Sequence, residues 1–123
     1  MLNAAYIVLI AALTGPTGDT DNWPQFRGPD GNGHTAATGL PLQWSEQKNV
    51  VWKTAVHGVG WSSPVIWGDQ IWMTTADKKG RNLHAVCVDR VSGKIVHDVK
   101  LFDVKKAERI NRMNSYASPT PII

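Results

Sequence analysis

Four histidines and a single cysteine are the residues of this chain with the widest chemical range, so their spacing is the first constraint on function. His34 lies in a Gly-rich stretch, His57 stands beside Gly58, and His84 and His97 fall within the apolar runs "LHAVCVD" and "KIVHDVKLF". No two of them have the i, i+2 or i, i+4 spacing that favours metal-ligand pairs, and no nucleophile–base arrangement surrounds them. The spacing therefore nominates no catalytic residue and no metal ligand. Cys87 has no second cysteine with which to form a disulfide, a zinc site or a haem attachment. Its apolar flanks predict a buried structural thiol, because a reactive thiolate needs exposure and nearby positive charge. "DGNGH" lacks the further carboxylates of a calcium loop and reads as a Gly-rich turn. No Gly-rich segment ends in the Lys-Ser/Thr pair of a phosphate loop.

The net charge of +3 and pI near 9.2 raise the question of nucleic acid. The distribution of charge argues otherwise. Lys78, Lys79 and Arg81 share a turn-like stretch with Asp77, while Lys105, Lys106, Arg109 and Arg112 are interspersed with Asp103 and Glu108. This is the mixed charge of a solvated surface, and no nucleic-acid partner is expected. If a partner is bound, the turns and the connection from Lys105 to Arg112 are where loops would meet it.

Those residues must be held by short strands, for Gly, Pro and Trp punctuate the chain throughout. Residues 1–20 contain an apolar run from Ala4 to Leu13 that suits a signal peptide or hydrophobic leader and is too short to span a bilayer as a helix. No Lys or Arg precedes Arg27, and no cysteine is present there for lipidation. Export to a periplasmic or extracellular location is expected, without a transmembrane span. Residues 21–48 form a Gly/Pro-rich lead-in, with Trp23 and Phe26 expected to pin it to a core.

From residue 49 the pattern changes to period 2. "NVVWKTAV" predicts a strand with Val50, Trp52, Thr54 and Val56 on one face. Pro64 opens "PVIW", and Gly68-Asp69 predicts a tight hairpin into "QIWMTT". "LHAVCVD" is apolar on both faces, as a strand between two layers should be. "KIVHDVKLF" alternates, with Ile95, Val99 and Leu101 expected to be buried and Lys94, Asp98 and Lys100 wet. The fold class is all-β, a four-stranded antiparallel meander over about 64–102. "YASPTPII" repeats the opening of "WSSPVIW", with Pro64 and Pro121 standing 57 residues apart.

These residues resemble the pyrroloquinoline-quinone (PQQ) repeat family of bacterial β-propellers. The family's docking motif runs Ala, any, Asp, any, any, Thr, Gly, any, any, any, Trp. Here Asp89, Ser92 and Gly93 occupy the Asp, Thr and Gly positions, with Cys87 in place of Ala and His97 in place of Trp. The resemblance implies that His97 packs as the outer-strand Trp would, and that Trp52 is such a Trp for a further blade. It implies that 49–123 is a partial propeller: a closing strand, one blade, and the start of the next near residue 118.

The chain is accordingly expected to be an N-terminal fragment of a longer propeller, exposing apolar surface around Ile66, Trp72, Val86 and Val88. Its partners would be the remaining blades and an envelope protein. By resemblance, the parent is a non-catalytic cell-envelope binding or assembly scaffold; the alternative is a PQQ-dependent alcohol or sugar dehydrogenase. PQQ and calcium belong only to a full-length parent in this reading, and no cofactor is expected in this chain.

Overall fold

The computed structural model describes residues 22–123, so the expected leader lies outside the described residues. Four strands follow in chain order: β1 (Val65–Trp67), β2 (Gln70–Ala76), β3 (Asn82–Asp89) and β4 (Ile95–Asp103). They form one antiparallel sheet in the order β1-β2-β3-β4, a meander that is not closed, and no helix occurs among the described residues. None is therefore long and apolar enough to cross a membrane.

Local chemistry accounts for each connection. Trp67 pairs with Gln70 across the two-residue turn Gly68-Asp69, where Gly68 takes φ 57°, a left-handed conformation that is free of a Cβ penalty only in glycine. Between β2 and β3 the carboxylate of Asp77 accepts hydrogen bonds from the backbone N–H groups of Lys79, Arg81 and Asn82 and from the Asn82 side chain. The Arg81 N–H is the chief reason that this carboxyl lies below its ordinary pKa. β3 and β4 pair from Asn82↔Asp103 to Val88↔Ile95 with two irregularities that leave Val96 and Leu101 as extra residues on β4.

Alternation sorts the side chains onto two faces. Met73, Thr75, His84, Val86, Val88 and Asp98 share one face; Trp72, Thr74, Cys87 and His97 share the other. Residues 52–57 cross the first face, where Thr75 Oγ1 donates to the backbone oxygen of His57 at 2.6 Å. Residues 117–123 cross the second, where Thr74 Oγ1 donates to the oxygen of Pro119 and Pro121 lies beside Val65 and Trp72. The core thus sits in the middle of the sheet. Val65, Val86 and Cys87 are 0% exposed and Val88 1%. Burial of Cys87 pushes its thiol pKa up, as suits a structural role.

Four expectations need correction. Residues 49–56 form no strand, because no neighbouring strand among the described residues pairs with their backbone. The predicted facing nonetheless survives in part: Trp52, Thr54 and Val56 are half-buried between exposed neighbours, although Val50 is exposed. On β4 every residue is exposed, with Ile95, Val99 and Leu101 at 40%, 47% and 50%, because β4 is an edge strand that the covering segments leave largely bare beyond the contact of His57 with Asp98. Within the sheet the exposed apolar side chains fall mainly on β4, whereas Val86 and Val88 are buried and Ile66 and Trp72 half-buried. Finally, Trp23 does anchor the lead-in by exchanging backbone hydrogen bonds with Ile66 at 2.9 and 2.8 Å, but Phe26 is exposed.

Candidate functional site

The turn between β3 and β4 is built by the residues the motif singled out. Asp89 Oδ1 accepts hydrogen bonds from the backbone N–H and the hydroxyl of Ser92, while Gly93 N donates to the Asp89 backbone oxygen at 2.8 Å. The Ser92 hydroxyl is the largest cause holding the Asp89 carboxyl below its ordinary pKa. Gly93 has φ 71° and lies directly beneath the Trp52 ring; a Cβ there would come within 2.6 Å of it. Trp52 Nε1 donates to the Arg90 oxygen at 2.9 Å, and the Thr54 hydroxyl donates to the Gly93 oxygen. One indole thus supplies both a packing surface and a hydrogen bond to a turn 38 residues away.

His97 makes a different contact. Its ring stacks on Trp72 of the same sheet, with centroids 5.7 Å apart and planes 5° from parallel. Both rings flank Cys87, which pairs with Trp72 on one side and His97 on the other. Pro64 is exposed immediately before β1.

On the opposite face the fold assembles a group that sequence spacing does not reveal. His57 Nε2 lies 2.8 Å from Asp98 Oδ2, and His84 Nδ1 lies 2.7 Å from Asp98 Oδ1. The two imidazoles meet edge to face with centroids 4.8 Å apart. His84 comes from β3 and Asp98 from β4, close neighbours across the paired strands, while the hydrogen bond from Thr75 fixes the backbone of His57. Hydrogen bonding by His84 is the leading cause that lowers the Asp98 pKa; partial burial opposes it and His57 adds to it. An ionised carboxylate only accepts hydrogen bonds, so each facing nitrogen must carry the proton. His57 also borders an open cleft of about 350 Å³ that runs along Val59, Trp61 and Met73.

The separations explain why the group escaped a local reading: His57 is 41 residues from Asp98, and His84 is 14. The sequence offered a signal for nearness alone. A strand pair centred on the turn after Asp89 brings Asp98 near His84, but uninterrupted alternation would put it opposite Ala85 on the other face; the extra residue Val96 shifts the register and sets Asp98 opposite Val86, on the His84 face. Among the described residues these three are the group of ligating side chains able to converge on one ion. With two nitrogens they do not suit calcium, which prefers an all-oxygen shell. The basic connection from Lys105 to Arg112 is exposed and tethered by Tyr116, whose hydroxyl donates to the Glu108 oxygen at 2.7 Å. Compared with protein-family models, curated proteins and solved structures, the chain matches none.

Proposed function

We propose that the four-stranded sheet is one blade of a PQQ-like repeat β-propeller, and that the propeller is an exported, non-catalytic binding or assembly scaffold of the cell envelope. The observation that carries this reading is Trp52, seated over Gly93 and hydrogen-bonded to Arg90. An aromatic residue from one segment that locks onto the β3–β4 turn of another is how stacked sheets fix their relative position. Coverage of the sheet by 52–57 on one face and 117–123 on the other supports the same reading, since a blade packs between two neighbours.

The exposed apolar side chains of β4, which include Leu101 and Phe102 at 50% and 60%, would then be covered by further blades or by the envelope partner. Burial of such surface contributes about 25 cal/mol per Å² towards assembly, against the cost of association.

The test is a titration of the complete propeller that contains this blade with PQQ and calcium, followed by gel filtration and the quinone absorbance of the protein fraction. A scaffold retains no quinone and oxidises no alcohol in a dye-linked assay. Stoichiometric retention would overturn the reading in favour of a quinoprotein dehydrogenase. The packing is checked separately by amide hydrogen exchange: protection of the Gly93 amide, which donates to the Asp89 oxygen beneath the Trp52 ring, is expected in the native chain and is lost in Trp52→Ala.

A further inference from the structure

Beyond the scaffold reading and independently of it, we infer that His57, His84 and Asp98 form a binding site for one divalent transition-metal ion of the zinc class. Three observations converge. The ligand atoms offered by these residues all lie within 4.8 Å of one another. Both imidazole nitrogens already point at a single carboxylate, at 2.8 and 2.7 Å. And the three residues come from separate places in the chain, each with its backbone fixed by the sheet or by Thr75.

A tetrahedral zinc ion with bonds of about 2.0–2.1 Å holds its ligand atoms about 3.4 Å apart. The present N–O separations are shorter than that, because protons occupy the space the ion would take. The widest separation, up to 4.8 Å, is longer than about 3.4 Å, so replacing the protons with the ion needs the carboxylate to move outward and the widest pair to close by about 1.4 Å, which side-chain rotation of partly exposed groups provides. For a neutral ring the exchange is a change of tautomer: the proton leaves Nε2 of His57 for Nδ1, and Nδ1 of His84 for Nε2. Each freed lone pair then binds the ion, and no proton is released.

The donor set selects the metal. Two imidazoles and one carboxylate suit Zn²⁺, Co²⁺ or Ni²⁺, and disfavour Mg²⁺ and Ca²⁺, which take oxygen shells. The side chains of His57, Asp98 and His84 are 46%, 39% and 22% exposed, so the ion can enter from solvent and keep a fourth position for water. Once bound, it would clamp the 52–57 segment to β3 and β4.

The experiment is a Co²⁺ titration of the untagged full chain, followed by visible absorption, with Zn²⁺ competition. One equivalent is expected to bind with the intense bands of a low-coordinate cobalt centre and to be displaced by Zn²⁺ but not by Ca²⁺. His57→Ala, His84→Ala and Asp98→Asn should each weaken binding by at least about 100-fold, more than the loss of an outer-shell partner. His34→Ala and His97→Ala should leave it unchanged. Asp98→Asn keeps the size and one acceptor oxygen of the native side chain, so it reports ligation even if a histidine variant folds poorly. Absence of one-equivalent binding to the wild-type chain overturns the site. So does equal weakening by His34→Ala or His97→Ala, or displacement by Ca²⁺.

Discussion

β3 and β4 are adjacent in one sheet, paired at seven positions, and rich in the same β-branched and apolar side chains. Yet Val86, Cys87 and Val88 are sealed from solvent while β4 is exposed from Ile95 to Asp103. The difference lies in what crosses each strand. Residues 52–57 and 117–123 run over the middle of the sheet and reach the edge strand β4 only in part, where His57 meets Asp98 and Ala117 borders Leu101. Burial here is a property of layers and cannot be assigned to a strand from its own alternation.

The sharpest way to break this comparison is to place a charge on each strand. Val86→Asp puts an unpaired carboxylate in a dry site and should cost about 4 kcal/mol or more in urea unfolding. Val99→Asp, on the exposed strand, should change stability by no more than about 0.5 kcal/mol. Similar losses in both variants would mean that β4 is covered in solution by another layer, and the contrast would be void.

A smaller effect sharpens the role of the covering segment. Gly68 and Gly93 both have positive φ, but a Cβ at Gly68 meets open space and one at Gly93 meets the Trp52 ring. Gly68→Ala should cost about 1–2 kcal/mol for backbone strain alone. Gly93→Ala should cost at least about 1 kcal/mol more, because the indole must also move. Removing the indole with Trp52→Ala should erase that extra cost in a double-mutant cycle; additive losses would show that the contact carries no coupling.

The smallest effect concerns the turns on either side of β3. Asp77 and Asp89 both have lowered pKa values, the first mainly through the Arg81 N–H and the second mainly through the Ser92 hydroxyl. A lowered folded-state pKa means that the folded chain binds fewer protons than the unfolded one. The resulting stability is fully present above the ordinary carboxylate value of about 3.9 and is lost as pH falls through the depressed folded value. Acid unfolding monitored by circular dichroism should therefore be less steep below about pH 4 in Asp77→Asn and Asp89→Asn than in the wild type. An unchanged slope would show that the turn carboxylates do not contribute to acid lability.

Much of the fold was legible because it is local. The Gly68-Asp69 hairpin, the Asp89–Gly93 turn and the two-sided apolar pattern of β3 are each specified within about ten residues. The unpaired state of 49–56 was not legible: "NVVWKTAV" has strand chemistry, but a strand exists only where a partner offers its N–H and C=O groups. Exposure of Val99 and Leu101 was hidden for the same reason, since their alternation promises a buried face without saying what would bury it.

The candidate site divides along the same line. Sequence by itself determined the turn that Asp89, Ser92 and Gly93 build, because a short side chain, a hydroxyl and a glycine satisfy that turn through neighbours in the chain. Only tertiary structure decided that Trp52 would lie on Gly93 and that His57 and His84 would converge on Asp98. Contacts across 14 to 41 residues leave no periodic trace in sequence. They arise when a sheet fixes two strands in register and a third segment is held across its face, for only then is the entropy of bringing distant side chains together already overcome by burial of the core.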